Sequence, residues 1–197
     1  MDIKRKRHGK VKQGKAEKGI DQERKENVLA EVTTVEQGAK AVSEREGKYL
    51  TFTLAREEYG IGILKVKEII GMMAITMVPQ TPDYVKGVIN LRGKVIPVMD
   101  LRLKFGMEAM DYTERTCIIV VEIGKNSDHV LIGIVVDSVS EVLNIKAGDI
   151  EETPNFGSRL QTDYILGMAK AGGGIKILLD IDRILHTEEL EAMNLAA

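Results

Sequence analysis

The stretch "GVINLRGKVIPVMDL", Gly87 to Leu101, decides the reading of the fold. Two apolar, β-branched runs flank Arg92-Gly93, and Gly93 supplies the positive φ that a tight connection needs, so the segment predicts a β-hairpin. Pro97 in the return strand has no N–H to give to a ladder, which places it at an edge or a bulge. Arg92 has two readings. It is a solvent-facing charge that guards a hairpin end against aggregation, or one half of a bidentate ion pair, for which Glu68 in "VKEI" is the candidate carboxylate.

The same texture continues on both sides. "KYLTFTLAREEYGIGIL", from Lys48, predicts a hairpin broken at the polar "REE". "TERTCIIVVEIGKNSDHVLIGIVVDSV" predicts another around "GKNSD", with "EVLNI" a short strand after it. "YILGMAKAGGGIKILLDI" predicts a fourth hairpin, turned by Gly172, Gly173 and Gly174. The closing "DIDRILHTEELEAMNLAA" has apolar residues at helical spacing and predicts a C-terminal helix.

The halves resemble each other. "GIGILKVKEI" from Gly60 matches "GIVVDSVSEV" from Gly133, with a Val six positions after the Gly and an acid eight after it. The Gly87 strand, Gly93 turn and "MDL" correspond to the Gly167 strand, Gly174 turn and "LDI". Offsets of 73 and 80 residues are too long for a solenoid unit and suit a duplicated small barrel. Short strands with Gly-rich turns make the fold all-β.

Composition narrows the function. The 197 residues are 44% hydrophobic and 29% charged, enough for one substantial core or two small linked ones. With no Trp and 4% aromatics, stacking platforms for bases are scarce. The single Cys117 excludes an internal disulfide and reads as a buried inert thiol. No run is long enough to span a membrane and no signal core follows the basic N-terminus, so a cytoplasmic location is expected.

Residues 1–18 carry eight Lys/Arg against Asp2 and Glu17, a balance of +6 that leaves −8 for the remainder of a chain whose total is −2. Residues 1–46 are expected to be a disordered basic extension and linker. That extension is a solvated spacer, or it touches nucleic acid or anionic lipid. The −8 balance elsewhere speaks against a nucleic-acid binder.

Catalytic material is thin. His8, His129 and His186 share no metal-ligand spacing, and one Cys does not make a zinc site. A Cys117 and His129 nucleophile pair has only residue type in its favour. "AGGGIK" opens a strand, where a phosphate cradle would need a helix. Glu57-Glu58 and Glu151-Glu152 are expected in polar loops as solvated pairs. Neither an enzyme nor a cofactor or metal is expected.

"EEYGIGILKVKEI", "GVINLRGKVIPVMDLRLKFG", "GIVVDSVSEVL" and the Gly-rich closing hairpin, in this order, resemble the CheW family of adaptors that couple bacterial chemoreceptors to the histidine kinase CheA. The resemblance covers about residues 47–190, leaving 191–197 as a helix end or tail. It implies two intertwined five-stranded β-barrels with a short C-terminal helix and, between the barrels, a groove for the cytoplasmic tip of a receptor hairpin. The matched groove positions are Ile63, Val66, Ile69 and Val139. Glu68 and Arg92 match a family ion pair that organises the contact surfaces. The regulatory domain of CheA is expected to dock on a barrel end, and Phe156 in "EETPNFG" matches a second kinase contact. Glu151 is acidic where some relatives would be basic, and the basic extension is not required by the family pattern. The resemblance implies recruitment to membrane-bound receptor arrays, with no membrane insertion of the chain itself.

Overall fold

The structure is a computed structural model, and it describes residues 45–124, 129–154 and 163–185. The strands are β1 (Gly47–Leu54), β2 (Glu57–Gly62), β3 (Val66–Gly71), β4 (Val85–Leu91), β5 (Lys94–Asp100), β6 (Cys117–Ile123), β7 (Val130–Val136), β8 (Ser138–Ile145), β9 (Ile150–Glu151), β10 (Ile165–Ala171) and β11 (Gly174–Leu179). Two four-residue helices, α1 (Leu101–Lys104) and α2 (Ile181–Ile184), follow β5 and β11. Asp100 and Asp180 cap them, each carboxylate accepting two backbone N–H groups. The expected C-terminal helix is this single turn; residues 186–197 lie outside the described residues, as do residues 1–44 of the basic extension.

Hydrogen bonding builds a six-stranded sheet, β8-β1-β2-β11-β10-β9, and a five-stranded sheet, β3-β6-β7-β5-β4. Pairing is antiparallel except where β11 meets β2 and β5 meets β7. The all-β reading holds, and so does the intertwining. β3 leaves the β1–β2 hairpin to pair with β6, and β8 leaves β6–β7 to pair with β1. The expected count of five strands per unit is corrected in one sheet by β9, two residues that pair with β10. Its counterpart in the other sheet is a single bridge, Thr76 to Val88.

The duplication is exact in role at several positions. Gly87 and Gly167 both take positive φ where the strand shifts register. A Cβ at Gly87 would lie 2.1 Å from the Thr76 carbonyl oxygen, and one at Gly167 2.8 Å from that of Glu151. Neither site tolerates a side chain, because the crossing backbone occupies its space. Pro97 sits beside the Gly87 register shift, and the parallel ladder to β7 begins one residue later at Val98.

The main core lies between the sheets. Leu50, Phe52, Leu54 and Ile61 from one sheet meet Ile119, Val121, Ile132 and Ile134 from the other, all essentially inaccessible. Burying each such side chain contributes about 1.5–3 kcal/mol. β6 is buried on both faces, since Ile118 and Val120 enter a second cluster with Ile89, Ile96, Val98 and Val135. That is why "CIIVV" reads as an unbroken apolar run.

Local expectations need three corrections. The first hairpin turns at Ala55-Arg56, with Ala55 at φ 57, and Glu57-Glu58 belong to β2. "EVLNI" is the second half of the eight-residue β8. Gly174 opens β11, the turn being Gly172-Gly173.

Candidate functional site

The exchanged strands β3 and β8 carry the candidate contact residues, and a bulge in each decides which way they face. On β3, Val66 opposes Val121, Glu68 opposes Val120 and Ile69 opposes Ile119, so Lys67 is the extra residue. Opposed residues share a face. Val66 and Ile69 therefore face the central core's side although they are three apart, and Glu68 faces the other. On β8, Val142 opposes Leu50 and Val139 opposes Phe52, with Ser140 and Glu141 both facing Thr51. Val139 and Val142 likewise share the core side.

Ile63, in the 3₁₀ turn Ile63–Lys65, packs with Val66 and Val139 against the central core while staying partly exposed, and Ile69 is exposed. The two strands meet at Cys117. It pairs with Gly71 of β3 and receives a hydrogen bond from the Val139 backbone. The thiol is half-buried, not fully buried as the sequence suggested, and burial pushes its pKa above the usual value. Of the four sequence-predicted apolar residues, Ile63, Val66 and Val139 pack against the same core cluster, and Ile69 stands exposed on β3.

Two exposed apolar residues were not singled out from the sequence. Val142 is 48% exposed and stands to β8 as Ile69 stands to β3, 73 residues on. The internal repeat contained that signal. Leu64, next to Ile63, is 90% exposed. An isolated Leu in a three-residue turn has no periodicity to mark it.

The ion pair is present: Arg92 Nη2 lies 2.6 Å from Glu68 Oε1, with Arg92 78% and Glu68 29% exposed. β3 is one edge of its sheet, and the β4–β5 hairpin stands at the opposite edge. The guanidinium thus clasps the two ends of the sheet together. Arg92 has φ 52 and Gly93 φ 84, the left-handed pair of a type I′ turn. Asn90 Oδ1 accepts the Gly93 N–H at 2.8 Å. The left-handed region costs a non-glycine residue about 1–2 kcal/mol. At the equivalent turn, Gly172 and Gly173 adopt the same conformation without that cost.

Ion pairs also hold β3 on either side. Lys65 meets Asp182 and Lys67 meets Glu122, each at 2.6 Å. The hydrogen bond from Lys67 holds the Glu122 carboxyl below its ordinary pKa. The expected loop pairs are corrected: Glu58 pairs across β2–β11 with Lys176, itself 4% exposed, and Glu151 on β9 meets Lys170 at 2.6 Å. Phe156 lies outside the described residues. Among the described residues no group of His, Cys, Asp or Glu could hold a metal, and no helix is long and apolar enough to cross a membrane.

Residues 48–189 match the family model described as CheW-like domain. The chain is 44% identical over 153 residues to the Chemotaxis protein CheW of Klebsiella aerogenes, covering 77% of this chain and 90% of the relative. It is 33% identical over 154 residues to that of Rhizobium meliloti, covering 78% and 97%. Among solved structures it is similar to the scaffolding protein TtCheW from Thermoanaerobacter tengcongensis, with TM-score 0.64 and 34% identity over 73% of this chain and 95% of that one.

Proposed function

The chain belongs to the CheW-like domain family, a family of non-enzymatic chemotaxis scaffolds, and from that premise we propose that it couples chemoreceptor hairpin tips to the histidine kinase CheA. The receptor tip docks on the face formed by Ile63, Val66, Ile69 and Val139, and the regulatory domain of CheA docks on a barrel end. The protein works in the cytoplasm, at the receptor arrays on the membrane's inner face. Phe156 is assigned to the kinase side from sequence resemblance.

The observation that carries this reading is the matched pair of bulges. Each places two apolar residues three apart on the core side of its strand: Val66 and Val139 pack against the central core, and Ile69 and Val142 stay exposed. Such a surface suits the apolar stripe of a helical hairpin. Glu68 and Arg92 hold the edge of that surface in place; with most of the guanidinium in solvent, the pair contributes about 0–1 kcal/mol to stability and its effect is orientation.

The test is a titration of the full chain with a receptor cytoplasmic hairpin and, separately, with the CheA regulatory domain. Both should bind. Binding to neither overturns the assignment. Val139→Lys places an ammonium in the desolvated face and should weaken the receptor complex by about 2 kcal/mol, roughly thirtyfold, while the kinase domain still binds. Unchanged receptor affinity would move the docking face elsewhere.

A further inference from the structure

We propose that Thr51 is a positioning residue for the docking face: its hydroxyl locks the β8 bulge and thereby sets Val139 and Val142 side by side. The inference rests on the receptor-docking reading above.

Thr51 is completely buried on β1, at the one place where the β1–β8 ladder fails. Two β8 residues, Ser140 and Glu141, stand opposite it, so the regular backbone exchange is interrupted there. The hydroxyl fills the gap. It donates to the Glu141 carbonyl at 2.8 Å and accepts the Glu141 N–H at 3.2 Å. One side chain thus engages both backbone polar groups of Glu141 at the bulge.

Position makes this more than a stabilising contact. Glu141 lies between Val139 and Val142, and the bulge is what lets two residues three apart share a face. If the bulge migrated by one residue along β8, one of the two valines would turn away. The equivalent bulge in β3 has no such lock, because Val120 stands where Thr51 would be and offers no hydroxyl. There the flanking side chains Lys67 and Glu68 are held from outside by Glu122 and Arg92. In the second half Ser140 reaches only a long 3.5 Å contact with Glu58, and the Glu141 backbone is held by the hydroxyl beneath.

Thr51→Val keeps the shape and removes the hydroxyl; Thr51→Ser keeps the hydroxyl and removes a methyl. Each full-length variant is titrated with the cytoplasmic hairpin tip of a chemoreceptor from the same bacterium and with the CheA regulatory domain. Thr51→Val should lose at least tenfold in receptor affinity, stay within twofold for the kinase domain, and show accelerated hydrogen exchange at the Glu141 amide. Thr51→Ser should stay within threefold of the unaltered protein for both. Equal receptor affinity of Thr51→Val and the unaltered protein overturns the inference. So does a parallel loss of both affinities, or failure of Ser to restore receptor binding, since each marks a general packing role. If the unaltered chain does not bind the receptor tip at all, the receptor-docking reading falls first and this inference with it.

Discussion

Strands β3 and β8 occupy equivalent places in the two sheets, carry equivalent bulges and present equivalent apolar residues, yet they are anchored by different chemistry. Lys65, just before β3, and Lys67 and Glu68 within it each engage in an exposed or half-exposed ion pair. Their counterparts 73 residues on are Ser138, Ser140 and Glu141. Ser138 meets the Thr53 hydroxyl at 2.6 Å, Ser140 meets Glu58 at 3.5 Å, and the Glu141 backbone meets Thr51. β3 is held from the surface by charge; β8 is held chiefly by the part-buried hydroxyls of Thr51 and Thr53, with Ser140–Glu58 a single exposed contact. Screened surface pairs are each worth little and yield to salt, whereas hydrogen bonds of neutral hydroxyls such as Thr51's are far less salt-sensitive. A duplicated fold can therefore keep one docking geometry while giving its two sides different sensitivities.

The largest expected effect lies where the two interiors differ most. Lys176 and Glu58 pair between β11 and β2; the positions equivalent to them in the other sheet are Ile96, buried, and Leu131, packed on the second cluster. Glu58→Ala leaves an ammonium buried without its carboxylate and should cost about 3 kcal/mol, read as a fall in the urea midpoint. The double variant Glu58→Leu/Lys176→Ile copies the other half and should return to within about 1 kcal/mol of the unaltered protein, or exceed it. If the single variant costs under about 1 kcal/mol, the ammonium is finding water, and the contrast between the interiors is less than it looks.

The hairpin tips provide a smaller and more pointed test. Arg92→Gly makes the first tip like Gly172-Gly173. It relieves about 1–2 kcal/mol of left-handed strain, loses about 0–1 kcal/mol of exposed ion pair and adds the greater chain freedom of glycine, so the unfolding midpoint should barely move. Assembly with receptor and kinase should weaken all the same, and Arg92→Asp, which sets a second carboxylate against Glu68, should weaken it further. Full kinase activation by the Asp variant would show that the clasp has no part in coupling, and the strain at Arg92 would then need another explanation.

How much of this was legible follows from where the signals lie. The hairpins at Gly93 and Gly172 announce themselves because left-handed turns and close backbone crossings demand glycine. The Ala55-Arg56 turn does not, since Ala55 takes positive φ without any residue type that signals it, and the polar "REE" drew the break two residues into the next strand. The internal repeat led to two related units, but strand exchange depends on long-range register, which no local pattern encodes. Glu68 and Arg92 could be paired from charge and motif. Thr51 could not, because a Thr in a β-branched run looks like any strand former until the bulge opposite it is known. Val142 was within reach, being the repeat partner of Ile69.

The smallest expected effect isolates the surface half of the comparison. Glu122 is the carboxylate whose pKa is held down, chiefly by its hydrogen bond from Lys67 and then by the nearby positive charges of Lys67, His129 and Lys65. A carboxyl lowered in the folded state stabilises that state above its unfolded value, near 4.5, and the contribution disappears as pH falls through the lowered folded value. Protonation frees Lys67, the extra residue of the β3 bulge, while the Thr51 hydroxyl under β8 has no proton to gain in that range. Amide exchange followed from neutral pH to below 4.5, corrected for intrinsic rates, should show β3 loosening around Lys67 before β8 loosens around Glu141. Glu122→Gln should loosen β3 already at neutral pH and flatten its pH dependence. Equal loosening of both strands would mean that the exchanged segments open as one unit, and that the different anchors do not separate their responses.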